Sequence, residues 1–284
     1  MTGGRSASEP VRLGWPGRLM LGSRSPRRLE LLRQIHPAEL IEVVPPTSTA
    51  EAGFENLHDW PSIERRLLEI AHTKCEDVAA QVRSNVGIRA RSCNSDGGTP
   101  SPPAPLPQGE RGEIGLALAP FEQRDVSRKS SPLSPRGRGA EGEGAHGDLK
   151  GPVVIAADTV VIVDRGGELH VLGQPPDEVS WQETVRRWFH EDFAGKTHVV
   201  ATALILEHVD NGKRVSRVVT SQVTFANDVD RWLDWYLSTG ESRGKAGGYA
   251  LQGAGSIFVA KVDGSLSNVV GLPLIELLEL LAKL

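Results

Sequence analysis

The sequence predicts an α/β fold, and three observations carry that prediction. Leu19-Met20-Leu21 is a short apolar run that reads as a buried strand. Gly22-Ser23 breaks it and Ser25-Pro26 opens a helix, because serine is a favoured N-cap and proline is preorganised for the first helical position. Residues 153–164 form a continuous apolar run interrupted by Asp158, the pattern of a strand buried on both faces. Around these runs, segments of helical period alternate with further apolar strands.

Taken in order, Leu29, Leu32 and Ile35 give the first helix one apolar face, and His36-Pro37 stops it. Residues 40–44 read as a short strand ended by Pro45-Pro46, and residues 47–55 as a polar loop carrying Glu51 and Glu55. Over 63–82, Leu67, Ile70, Ala71, Val78 and Ala79 follow a helical repeat, with Lys74 near the middle. By period alone that lysine reads as solvated surface. Composition then changes over 86–150 to Gly, Pro, Ser and Arg, with two degenerate copies of one unit at 105–112 and 132–139. Such a tract cannot bury enough apolar surface to offset its chain entropy. It reads as a disordered insertion at a loop tip, tolerated because closure entropy grows slowly with length.

After the 153–164 strand, Gly166-Gly167 makes a hairpin into 168–172. Asp177 is placed to cap a helix over 178–190 with Val179, Val185, Trp188 and Phe189 inward. Gly195-Lys196-Thr197-His198 leads into a strand through Leu206, and Asn211-Gly212 turns the chain into another over 214–225. Asn227 or Asp228 then caps a helix bearing Trp232, Trp235 and Leu237, closed by Gly240. A strand over 256–262 and a turn at Asp263-Gly264 precede a C-terminal helix whose Leu and Ile residues predict near-complete enclosure by core.

Net charge is −4, with 32 Lys+Arg against 36 Asp+Glu, so no global basic field argues for nucleic-acid binding. Cys75 and Cys93 form no CxxC pair and read as free thiols in a reducing compartment. No apolar run reaches membrane-spanning length, and residues 1–17 lack the apolar core of a signal peptide. The expectation is a cytoplasmic protein with no membrane partner. Its organisation reads as a flexible extension over 1–17 and a single domain over 18–284 interrupted by 86–150.

The chemistry starts at the first helix. Its N-terminus carries unpaired N–H groups and partial positive charge, and Arg24, Arg27 and Arg28 add forked donors suited to phosphate. Cations there oppose the helix dipole unless an anion is bound. Asp158 is the second signal, since an acid in a two-sided apolar strand must be paired, bound to metal or set at a strand end facing a cleft. The strand is therefore expected to end near it, at the open edge where ligands of α/β sheets collect. Two P-loop imitations fail on spacing, at Gly195-Lys196-Thr197 and at residues 240–245, and there is no HExxH or GxSxG. Glu51, Glu55 and Asp158 remain as hard-metal ligands. Arginines at a helix start, isolated lysines and acids fit for a hard cation are the equipment of phosphoanhydride chemistry.

The order of motifs resembles the Maf family of nucleoside triphosphate pyrophosphatases. The resemblance rests on Ser23-Arg24-Ser25-Pro26-Arg27-Arg28, Ala157-Asp158-Thr159-Val160-Val161, Gly195-Lys196-Thr197-His198, the Lys245-Ala246-Gly247-Gly248-Tyr249 to Gln252-Gly253 block, and Gly264 through Pro273. It implies a long mixed sheet flanked by helices, with two lobes around a nucleotide cleft. It also implies hydrolysis of a nucleoside triphosphate to monophosphate and pyrophosphate, dependent on Mg²⁺ or Mn²⁺, with a homodimer as a family expectation. Asp158 matches the family's proton acceptor, and Arg27, Thr159 and Gln252 match positions tied to base choice. Ser23, Arg28, Lys74 and Lys245 match residues lining the phosphate cleft, with Ser25 at the same helix start. Glu51 matches an acidic metal-site residue beside Asp158. Gln174 stands where the family often has lysine, which implies either lower turnover or a charge supplied by Lys196. The glycine-rich block is similar to the dTTP/UTP branch rather than the 7-methyl-GTP branch. The alternative readings are a non-hydrolytic nucleotide-binding regulator of septum formation and a pyrophosphatase of the same family acting on a modified nucleotide such as 7-methyl-GTP.

Overall fold

The two apolar runs that predict the fold class are neighbours in one 7-stranded mixed sheet. The structure is a computed structural model and describes residues 17–47, 53–92, 151–177 and 180–284, without the side chains of 86–92. β1 (Leu19–Leu21) pairs in parallel with both β2 (Ile41–Val43) and β3 (Val153–Arg165), and α1 (Pro26–Arg33) makes the crossover between β1 and β2. From β3 the sheet continues antiparallel through β5 (Thr197–His208), β6 (Arg214–Phe225) and β7 (Val259–Asp263). β4 (Glu168–Leu172) folds back on the far half of β3 through Gly166-Gly167, whose φ angles of 71° and 93° make the tight turn.

Alternation along β3 sorts the core. Val154, Ala156, Val160 and Ile162 pack with Ile63, Leu67, Ala71, Val78 and Val82 of α2 (Trp60–Ser92). On the opposite face, Val153, Ile155 and Ala157 join Leu31 and Leu32 of α1 and Leu277, Leu280 and Leu281 of α6 (Leu274–Leu281). Further along that face, Val161 and Val163 join Val185 and Trp188 of α3 (Trp181–Trp188) and Leu233, Tyr236 and Leu237 of α4 (Asp230–Ser238). Between these last two clusters lies a polar seam: Thr159 and Thr202 are bonded at 2.9 Å, and the buried Thr202 also contacts the Asn268 carbonyl of α5 (Leu266–Val270).

Several elements differ from the sequence reading. α2 runs past both ends of 63–82, because extending a formed helix gains one hydrogen bond per residue after its apolar stripe ends. The rest of the 86–150 tract lies outside the described residues, as do residues 1–16, Glu178 and Val179. α4 is capped by Val229 rather than Asn227 or Asp228, and its buried stripe is Leu233, Tyr236 and Leu237. That register leaves Trp232 and Trp235 about half exposed. The strand expected over 256–262 opens as a 3₁₀ turn over Ala254–Phe258, because the Glu241 carboxylate accepts the Ala254 and Gly255 N–H groups at 2.7 and 3.0 Å. The C-terminal helix is two helices split by Gly271 at φ 117°, and its core face is one-sided, with Ile275 65% exposed.

Candidate active site

β3 does not end near Asp158; it continues to Arg165, and Asp158 pairs with Ala203 of β5 in mid-strand. The opening is lateral. On the other side of β3, β1 covers only 153–155 and β4 begins at Val161. Residues 156–160 therefore face no strand on that side, and the sheet forks around them. A cleft of about 820 Å³ occupies the fork, lined by the turn after β1, the start of α1, mid-β3, the end of β4 and the 244–252 loop.

A forked sheet leaves backbone groups that must find partners. Gly22 N–H donates to the Ile155 carbonyl at 2.8 Å, and Arg28 donates to the Ala157 carbonyl at 2.7 Å. The same guanidinium reaches the Gly271 carbonyl at 2.8 Å, Thr159 Oγ1 at 3.0 Å and Ser23 Oγ at 3.2 Å. Arg28 thus clamps α1, β3 and the end of α5 together. Ser23 Oγ also accepts the Ser25 N–H at 3.1 Å, which shapes the turn into α1.

The other cleft cations differ. Arg27 projects from the first turn of α1, half-buried, and makes no hydrogen bond or ion pair among the described residues. Burial pulls its pKa below the ordinary value, with Glu241 and then Tyr236 opposing. Lys245 shares that fate: burial first, then repulsion from Arg27, lowers its pKa. Its Nζ donates to the Glu241 carbonyl. Two partly desolvated cations that repel each other across one cleft form a site complementary to a polyanion. No acidic residue stands in the first turn of α1 to compete.

Asp158 lies on the α2 side of β3 and takes Lys74 Nζ on Oδ1 at 2.6 Å. Lys74 occupies the same buried stripe as Leu67, Ala71 and Val78, so the helix aims it at the carboxylate. Asp158 Oδ2 has no hydrogen-bond partner among the described residues. One hard oxygen beside a polyanion site suits Mg²⁺, which binds through one or two carboxylates plus substrate phosphates. The residues therefore fit the implied metal.

The cleft brings together Ser23, Ser25, Arg27, Arg28, Lys74 and Asp158, together with Thr159, Lys245 and Gln252. Lys196 is not among them; it is exposed and its Nζ caps the Glu191 carbonyl, so it does not replace the charge absent at Gln174, which does line the cleft. Thr159 is engaged by Arg28 and Thr202. Glu51 lies outside the described residues, and Glu55 is exposed and does not line the cleft.

The 245–249 loop shows why its glycines are needed. Gly247 and Gly248 adopt φ 67° and 71°, and an added Cβ at either would come 3.0 Å from Val161 or Val185. Their close approach lets Tyr249 reach the buried His198 at 2.7 Å and keeps Lys245 at the cleft wall.

Residues 18–284 match the family model described as Maf-like protein. The chain belongs to the Maf family. Among curated relatives, the dTTP/UTP pyrophosphatase of Anaeromyxobacter dehalogenans strain 2CP-C is 44% identical over 137 residues, covering 48% of this chain and 66% of that protein. The dTTP/UTP pyrophosphatase of Pyrococcus abyssi is 36% identical over 162 residues, covering 55% and 81%. Against the first of these, this chain therefore spans just under two thirds of the relative's length. Among solved structures, a dITP/XTP pyrophosphatase of Mycobacterium abscessus aligns with 94% of this chain and 93% of its own at 10% identity and a TM-score of 0.32, a likeness too distant to bear on the site.

Two contributors to the cleft and its walls went unassigned in the sequence. Glu241 fixes the turn that follows Gln252, and His198 anchors Tyr249. Glu241 had no local signal, since its partners are backbone N–H groups 13 and 14 residues away.

Proposed function

We propose that this Maf-like chain hydrolyses nucleoside triphosphates between the α and β phosphates, with dTTP and UTP as preferred substrates. The observation that carries the reading is the juxtaposition of half-buried Arg27, without a partner among the described residues, with Lys245 in the cleft that holds Asp158. Triphosphate oxygens sit against Arg27, Lys245 and the N–H groups that open α1. Lys74 orients the Asp158 carboxylate through its 2.6 Å contact, so Asp158 takes the proton of an attacking water. The water oxygen bonds to the α phosphorus, the bond from that phosphorus to the α–β bridging oxygen breaks, and pyrophosphate departs. A divalent cation, Mg²⁺ or Mn²⁺, would be held by Asp158 together with Glu51 and would neutralise phosphate charge. Gln252 lines the cleft with both a donor and an acceptor for a pyrimidine edge. The names of the relatives support the choice of dTTP and UTP.

The test is pyrophosphate release from a panel of nucleoside triphosphates with Mg²⁺, with Mn²⁺ and with chelator. dTTP and UTP should be turned over fastest and only with metal. No release from any triphosphate would sink the proposal, and tight binding without product would favour the regulator instead.

A further inference from the structure

Three side chains that the cleft chemistry leaves unused converge beside the β3–β4 hairpin. His58, Glu168 and His170 each offer a ligand atom, and those atoms all lie within 4.8 Å of one another. None lines the cleft. Glu168 and His170 are two apart on β4 and so share a face. His58 comes from the segment before α2, more than a hundred residues away, so its arrival is a tertiary event rather than a local cluster.

His58 is held in place from two directions. Its carbonyl accepts the Leu169 N–H at 3.1 Å, and its Nδ1 lies 3.3 Å from the Leu169 carbonyl. A carbonyl only accepts, so Nδ1–H donates in this contact and Nε2 is the nitrogen left for a metal. An imidazole whose other ring N–H is fixed on a backbone carbonyl is the usual arrangement of a metal-binding histidine. The His58 and His170 rings stand 4.9 Å apart in an edge contact. Tetrahedral bonds of about 2.0–2.2 Å would set the ligand atoms about 3.3–3.5 Å apart, a closure that partly exposed side chains reach by rotamer change.

We propose that His58, Glu168 and His170 form a metal site of the zinc class, separate from the cation at Asp158. Two imidazoles and one carboxylate suit Zn²⁺, with water completing the tetrahedron. The position gives the site a consequence. Gly53 and Phe54 line the cleft a few residues before His58, and Gly173 and Gln174 line it just after β4. A metal at this point clasps two cleft walls to each other without touching substrate.

The experiment uses the full chain, untagged and stripped of metal, with Zn²⁺ alone as the probe. Calorimetry should give one zinc per chain, Co²⁺ should develop the visible absorption of a tetrahedral site, and Zn²⁺ should raise the melting temperature. His170→Ala and Glu168→Gln should each weaken zinc binding at least about tenfold and abolish the zinc-dependent rise. Glu168 is exposed and His170 partly exposed, and neither belongs to a core cluster, so melting without zinc should be unchanged. Zinc uptake undiminished in a His58→Asn, His170→Ala double variant, or no uptake by the unmodified chain, would overturn the proposal. Because the readout is binding rather than turnover, it stands or falls independently of the pyrophosphatase reading.

Discussion

Asp158 and Glu207 occupy neighbouring strands, and both are buried carboxylates in apolar surroundings. Glu207 is satisfied entirely within the protein: Arg83 holds one oxygen, and Arg214 reaches the other at 2.8 Å through Nε. Asp158 has one cation, Lys74, and one oxygen without a partner among the described residues. Their variants should therefore behave oppositely. Asp158→Asn should lower pyrophosphate release by about 10²- to 10⁴-fold while triphosphate binding and the melting temperature stay close to the unmodified chain. Glu207→Gln should cost about 1–3 kcal/mol of stability with turnover per folded molecule preserved, measured by denaturant unfolding beside initial rates. Cys75, next to Glu207, has its thiol pushed up to about 12 by burial and then by that carboxylate, so it should resist alkylation in the folded chain. His198 gives a pH prediction. Burial holds its pKa down at about 3, against 6.5 for the free side chain. The unfolded chain binds this proton first as pH falls, so stability is full above 6.5 and declines between 6.5 and 3. The decline should approach about 1.4 kcal/mol per pH unit, and His198→Asn should remove that component from the pH-dependent unfolding curve.

At the scale of elements, the glycine turn and the long helix carry the site. Gly247→Ala would place a Cβ 3.0 Å from Val161 at a φ of 67°, where a side chain costs about 1–2 kcal/mol before any contact is counted. We expect a lower melting temperature and a raised KM, since Lys245 is carried by the same turn. α2 shows how near the sequence came. Lys74 lies seven residues after Leu67 and four before Val78, inside the apolar stripe, and that spacing contained the signal that it points inward. By period alone such a lysine reads as solvated surface, because the period does not show that Asp158 stands opposite it. In α4 the sequence marks Trp232, Trp235 and Leu237, and the structure shows that Leu233, Tyr236 and Leu237 at i, i+3 and i+4 define the buried stripe.

For the whole molecule, the tract over 93–150 separates α2 from β3 in sequence, while Cys75, Val78 and Val82 of α2 share one core with Val154 and Ala156 of β3. Replacing residues 96–146 by a short Gly-Ser linker should leave turnover and the melting temperature unchanged, because closure free energy varies only with the logarithm of length. A loss of activity in that deletion would assign the tract a catalytic role. Among the described residues no helix is long and apolar enough to cross a membrane.

The sequence by itself determined the α/β class, most strand positions and the helix start with its arginines, because these follow from local period and from turn and cap chemistry. It also singled out Asp158, since a charge in a buried strand needs compensation wherever the chain folds. Tertiary structure alone decided what each charge does. It put the opening at a lateral fork in the sheet instead of a strand end, turned Arg28 into a clamp, left Arg27 toward the cleft and sent Lys196 away from it. It also closed Glu207 between two arginines and gave Asp158 a lysine on one oxygen, because compensation depends on which cations arrive from distant segments, and no local pattern records that.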